Sequence, residues 1–193
     1  SNAYNSLASM TENGATYLVE EGNTRKYVPV PVEEFCKNRI RRMEEARQWL
    51  KIHVPSEKTH VEGYITIEGA RNILDKMRNL LDKVEQRVYI SCTRNYLLLL
   101  VRELEDLKRA GKKVVIVTDQ PVTFSGAKVY VGKSRGMQIG VIADSRYVLT
   151  GEYGEGSMNT CLYSGQKNFV ELYKTALGNE IKLLTIQEEK NKA

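Results

Sequence analysis

The stretch Arg87–Thr118, RVYISCTRNYLLLLVRELEDLKRAGKKVVIVT, decides the fold. Arg87 to Cys92 is a run of strand-forming residues. Leu97 to Ala110 then carries apolar side chains at helical spacing, and Gly111 stands where a helix commonly ends in a left-handed residue. Val114 to Thr118 is an unbroken, mostly β-branched run of the kind that parallel sheets bury on both faces. Strand, helix and strand within about thirty residues predict a βαβ unit with a right-handed crossover.

Working outward, the flanking segments extend one layered α/β domain over residues 61–187. Downstream, Lys128 to Val131 reads as a short strand, and Gln138 to Ala143 with Arg146 to Thr150 as a hairpin turning at Asp144-Ser145. Phe169, Leu172, Tyr173, Ala176, Leu177, Ile181 and Leu184 predict a closing helix, with a polar tail from Gln187 to Ala193. Upstream, Ile67 to Glu85 reads as one amphipathic helix through Ile67, Ala70, Ile73, Leu74, Met77, Leu80, Leu81 and Val84. The polar segment from Pro55 to His60 is the boundary.

Before that boundary the pattern differs. Pro31 suits the first turn of a helix, and residues 32–54 read as one long, highly charged helix. Cys36, Ile40, Met43 and Leu50 follow coiled-coil spacing, interrupted at Arg47 and flanked by Phe35 and Trp49. Two readings stand side by side: a dimer seam, or a helix packed on its own domain. Residues 4–31 read as a short helix stopped at Asn13-Gly14, then a hairpin from Thr16–Val19 to Lys26–Val28 with a turn at Gly22-Asn23. One helix and one hairpin bury too little to fold alone, so a further part of this module is expected upstream. Ser1-Asn2-Ala3 reads as the remnant of a tag.

Composition narrows the function. With 41% hydrophobic and 27% charged residues the chain is neither fibrous nor disordered. Its longest apolar run, Tyr96 to Val101, is far short of the ~20 residues that span a bilayer, so no membrane is expected. Cys36, Cys92 and Cys161 lie far apart without a paired motif, which favours a reducing, cytoplasmic setting. The net charge of +5 is spread along the chain rather than gathered into a basic block.

The usual chemistry-bearing motifs are missing. The two histidines, His53 and His60, straddle a proline and form no metal set. Gly132-Lys133-Ser134 resembles the end of a phosphate loop, but Ala127 stands where the first glycine belongs, and no helix follows. There is no G-x-S-x-G elbow. Cys92 ends a strand beside Arg94, which would lower a thiol pKa, but no histidine partners it, and a buried structural cysteine is expected.

The order helix, strand, helix, strand and hairpin resembles one half of a phospholipase D-like fold. Enzymes of that family carry H-x-K-x₄-D followed by G-S-x-N. Aligned on Asp144, the histidine position holds Met137 and the lysine position Ile139; Gly151 matches the later glycine, and Glu152 replaces its serine. A thioether and a butyl group supply neither a nucleophile nor a cation for phosphate, so the resemblance implies a fold without the hydrolase and without a cofactor. With Tyr4–Gly14 and Tyr17–Pro31 included, the chain resembles the end of a recognition helix and the wing of a winged helix-turn-helix. The charged helix and the segment from Glu68 resemble the linker and effector domain of TrmB-type transcriptional regulators.

That resemblance implies a homodimer, operator DNA as the partner of the whole protein, and a small-molecule effector, a sugar in the sugar-sensing members. The fold expectation is α/β: a phospholipase D-like three-layer domain with a mixed sheet, after a long linker helix and a partial winged helix. Expected effector residues are Thr93, Arg94 and Asn95 after the first strand, and Asp119 and Gln120 after the second. Gln138 and Glu152 join them, with Met137 and Ile139 as an apolar floor. Arg25 and Lys26 on the wing are the expected phosphate contacts. Two alternatives compete: a phosphodiesterase or nuclease of the same fold with a displaced active site, and a pure dimerisation scaffold.

Overall fold

The computed structural model describes residues 2–22, 24–55, 63–133, 135–155 and 158–192. The chain forms two compact units, Ser1–Thr59 and His60–Ala193. Of the expected boundary Pro55–His60, only Pro55 lies within the described residues; His60 lies outside them, as do Asn23 of the wing turn and Ser134 of the phosphate-loop look-alike.

In the first unit, helix α1 (Asn2–Glu12) leads into an antiparallel hairpin of β1 (Thr16–Glu21) and β2 (Thr24–Pro29). Gly14, at φ 74°, makes the turn out of α1, and Val30 N–H closes on the Ala15 carbonyl. The Tyr17 hydroxyl donates to Glu34 Oε1 at 2.6 Å, fastening the hairpin to helix α2 (Val32–His53). Neither α1 nor α2 has a buried residue, and Val30 is the one buried apolar side chain of this unit among the described residues.

The second unit is a seven-stranded mixed sheet between helices. Its strands are β3 (Tyr64–Glu68), β4 (Arg87–Ser91), β5 (Lys113–Thr118), β6 (Lys128–Val131), β7 (Gln138–Ala143), β8 (Tyr147–Glu152) and β9 (Thr160–Ser164). Their order is β3-β9-β8-β7-β4-β5-β6. β4, β5 and β6 are parallel, and every other pairing is antiparallel. Strand alternation feeds both faces. Val88, Ile90, Val114, Ile116, Ile139 and Val141 join a core with α3 (Ala70–Leu81) and α5 (Val101–Arg109). Val115, Val117 and Ile142 join a second core with α6 (Lys167–Lys192). The α/β, three-layer, mixed-sheet expectation is met, and β4–β5 is the parallel pair read from Arg87–Thr118.

Four local readings differ from the structure. Ile67 does not open a helix: it lies on β3, and Gly69 at φ 88° separates that strand from α3, leaving Val84 buried in the following loop. β9, rich in hydroxyl-bearing residues, was not expected; it is the strand that β3 and β8 both pair with. The polar segment from Gln187 continues the closing helix to Lys192. The expected Leu97–Ala110 helix is also broken into α4 (Arg94–Leu97), a 3₁₀ turn (Leu98–Leu100) and α5.

Candidate functional site

Strand direction gathers the expected effector residues at one edge of the sheet. Because β7 runs against β4, Ser91 faces Gly140, and the start of β7 stands beside the end of β4; Gln138 in turn faces Glu152. The loops after β4 and β5 and the ends of β7 and β8 therefore converge, as open α/β sheets arrange their ligand edges.

Within this edge the residues divide. Thr93 is nearly buried and precedes α4, its carbonyl accepting from Leu97 N–H at 3.1 Å. Asp119 is occupied: its Oδ1 accepts from Arg94 N–H at 2.9 Å and from the Thr118 hydroxyl at 3.4 Å, tying the β4–α4 loop to β5. Arg94, Asn95, Gln120, Gln138 and Glu152 are exposed and use no side-chain hydrogen bond among the described residues. Ile139 does not form the floor of a recess. It is 2% exposed and packed in the core under α3 and α5, because inward-facing positions of β7 meet those helices.

Two tyrosines and a partly exposed Met137 cluster at this edge. Tyr96 of α4 and Tyr153 after β8 meet edge to face at 5.0 Å between centroids, and Tyr153 N–H donates to the Met137 carbonyl at 2.8 Å. A side chain at Gly154 would collide with the Tyr96 hydroxyl and approach Met137 Cγ to 3.1 Å. Burial, then the proximity of Tyr96, raises the Tyr153 hydroxyl pKa against the opposing charge of Arg78. Neither tyrosine was singled out in the sequence; the signal was their position just after two strand ends.

An open recess of about 500 Å³ is lined by Arg78, Leu98, Leu99, Val101, Arg102, Glu103 and Glu105. The 3₁₀ turn exposes Leu98 and Leu99, and Arg78 bridges the wall, with Nε 3.1 Å from Glu103 and Nη2 donating to the Leu99 carbonyl at 3.3 Å. The sequence did not reveal this recess, because the helix break that opens it lies in a run of four leucines.

The cysteine at this edge is not activated. Burial pushes the Cys92 thiol up to about 12 and outweighs the opposing charge of Arg135, which is itself paired with Glu180 of α6. Asp144, the residue on which the family motif aligns, stands at the other end of β7. There it accepts from the backbone N–H groups of Glu85, Gln86 and Arg87 at 2.8–2.9 Å. Among the described residues no three His, Cys, Asp or Glu side chains come together as metal ligands.

In the first unit, Arg25 and Lys26 are exposed but paired across the hairpin, with Glu20 at 3.0 Å and Glu21 at 2.6 Å. The seam residues Cys36, Ile40, Met43 and Leu50 are all exposed, Ile40 at 70% and Met43 at 74%. His53 stacks on Trp49 at 4.2 Å along the same helix.

No family model matches the chain. It is 27% identical over 183 residues to the uncharacterized protein YrhO of Bacillus subtilis (strain 168), covering 93% of this chain and 61% of that protein. TrmBL2, described as an archaeal chromatin protein whose structure shows a novel mode of DNA binding, aligns over 93% of this chain and 80% of its own. The TM-score is 0.54 and the identity 16%, a likeness of fold. NucT from Helicobacter pylori aligns over 62% of this chain and 97% of its own, with a TM-score of 0.49 and 13% identity. Among the described residues no helix is long and apolar enough to cross a membrane.

Proposed function

We propose that this chain is the dimerisation and effector-sensing portion of a cytoplasmic, TrmB-type DNA-binding regulator. Its phospholipase D-like unit binds a small metabolite and does not cleave phosphate esters. One observation carries the reading. A 22-residue helix, α2, buries none of its residues while leaving Val32, Ile40, Met43, Trp49, Leu50 and Ile52 more than half exposed. Such a surface is stabilised by a second helix, and a two-fold pair of linker helices sets the spacing of two DNA-binding heads, whose half-sites lie ~34 Å apart. The fold shared with TrmBL2 supports the same reading.

A regulator needs a guest rather than a reaction. Met137 and the buried Ile139 stand where the family motif would carry its nucleophile and phosphate-holding cation, which supports a non-catalytic unit. Arg94, Gln138 and Glu152 offer open polar ends to an effector, and an effector that prefers one dimer arrangement shifts DNA affinity by its differential binding. A sugar is the effector class that the family resemblance favours. Arg25 and Lys26 would reach phosphates only by exchanging their glutamate partners for DNA.

One observation favours the scaffold alternative: Tyr96 and Tyr153 pack edge to face at that edge, and Tyr96 and Met137 close on Gly154. A single set of measurements separates the readings. Light scattering should give a dimer for the chain and a monomer-shifted equilibrium for I40E/M43E; a monomeric wild type would sink the regulator reading. In a thermal-shift panel of sugars, sugar phosphates and aromatic metabolites, a true effector at a hundredfold excess over its Kd adds about 2.7 kcal/mol. A silent panel leaves the scaffold, and turnover of a bis-aryl phosphate ester points to the displaced-active-site enzyme.

A further inference from the structure

Helix α6 carries two apolar faces, and the sheet uses one. Val170, Tyr173, Leu177, Ile181 and Leu184 pack on the second core. Leu172, Ala176, Asn179, Leu183 and Ile186 recur at spacings of four, three, four and three on the opposite side. All five are exposed, Leu172 at 69%, Leu183 at 61% and Ile186 at 48%. Neither core of the second unit includes Leu172, Leu183 or Ile186.

We propose that this stripe is a contact surface for the same helix of a second copy of this chain, packed parallel and in register. Three observations choose that occupant. The alternating spacing is the knobs-into-holes repeat, which another helix fills. Asn179 interrupts the seam at its middle, where it would be stranded against an apolar partner. In a parallel pair it meets its own counterpart, and one polar seam residue of this kind fixes register and strand number. In this register Thr175 and Lys182 flank the seam opposite Glu180 and Gln187 of the second copy, so no like charges oppose each other.

The contact is separate from the α2 seam, and its test keeps the two apart. Sedimentation of the full chain over a concentration series would compare wild type, L183E/I186E and I40E/M43E. The L183E/I186E pair should weaken self-association by about tenfold or more. Its circular dichroism and melting temperature should stay near wild type, since both residues face solvent within the protomer. In a C36S background, N179C should form a disulfide-linked dimer under mild oxidation. An unchanged association constant for L183E/I186E, or absence of the N179C disulfide, overturns the proposal. Loss of association in I40E/M43E with L183E/I186E silent overturns it while supporting α2 as the seam.

Discussion

Asp144 is the position on which the family motif aligns, and its carboxylate is engaged in structure. With Ser145 it adopts positive φ, 50° and 55°, in the tight β7–β8 turn, and its two oxygens take three backbone N–H groups ahead of β4. Burial alone would raise its pKa, but the three donors together, helped by the Arg146 charge, bring it below the usual value. A carboxyl lowered on folding contributes stability that is fully present above the unfolded value, about 3.9, and is lost as pH falls through the lower folded value. D144N keeps the tolerance for positive φ but weakens the acceptor, so it should cost about 1–2 kcal/mol at neutral pH. In urea titrations the gap to wild type should narrow as pH drops through the carboxylate range. A gap that does not change with pH would show that the charge is irrelevant. The same residue shows what local reading achieves: Asp144-Ser145 was legible as a turn, but its three donors come from a loop about sixty residues earlier, a contact made only by the β4–β7 pairing.

Between elements, β7 and α6 meet through an unusually close pair. The Tyr173 ring lies over Gly140, with Cζ only 2.8 Å from where a Cβ would stand, and its hydroxyl lies 3.0 Å from Thr150 Oγ1. G140A must push the ring away, which should cost about 1–3 kcal/mol. Y173F alone loses the Thr150 contact, yet in the double variant it removes the atom that clashes first, so the two losses should fall short of additive. Strict additivity in chemical denaturation would refute the packing account. The helical period of α3 and the β-branched run of β5 were readable because one face or both faces are apolar. β3 and β9 were not, because neither presents a long apolar run, and Ile67 happens to continue the spacing of α3.

At the scale of the whole second unit, burial decides what the thiols can do. Cys92 directly follows β4 and Cys161 lies on β9, far apart in sequence, yet both sink into the same core, and burial raises their pKa values to about 12 and about 11. Native protein treated with a thiol-specific reagent should therefore withhold two thiols per chain, released only on denaturation. Rapid native modification of all three cysteines would contradict the core described here. The sequence by itself determined the βαβ centre, the hairpin, the charged helix Val32–His53 and the apolar side chains at positions 137 and 139, because periodicity and residue chemistry are local properties. Tertiary structure alone decided that Ile139 belongs to the core, that Asp119 is spent on the β4–α4 loop, that Tyr96 meets Tyr153 at the sheet edge, and that α6 keeps a second apolar face. Each of these depends on which distant strand or helix lies opposite, and spacing along the chain carries no record of that neighbour.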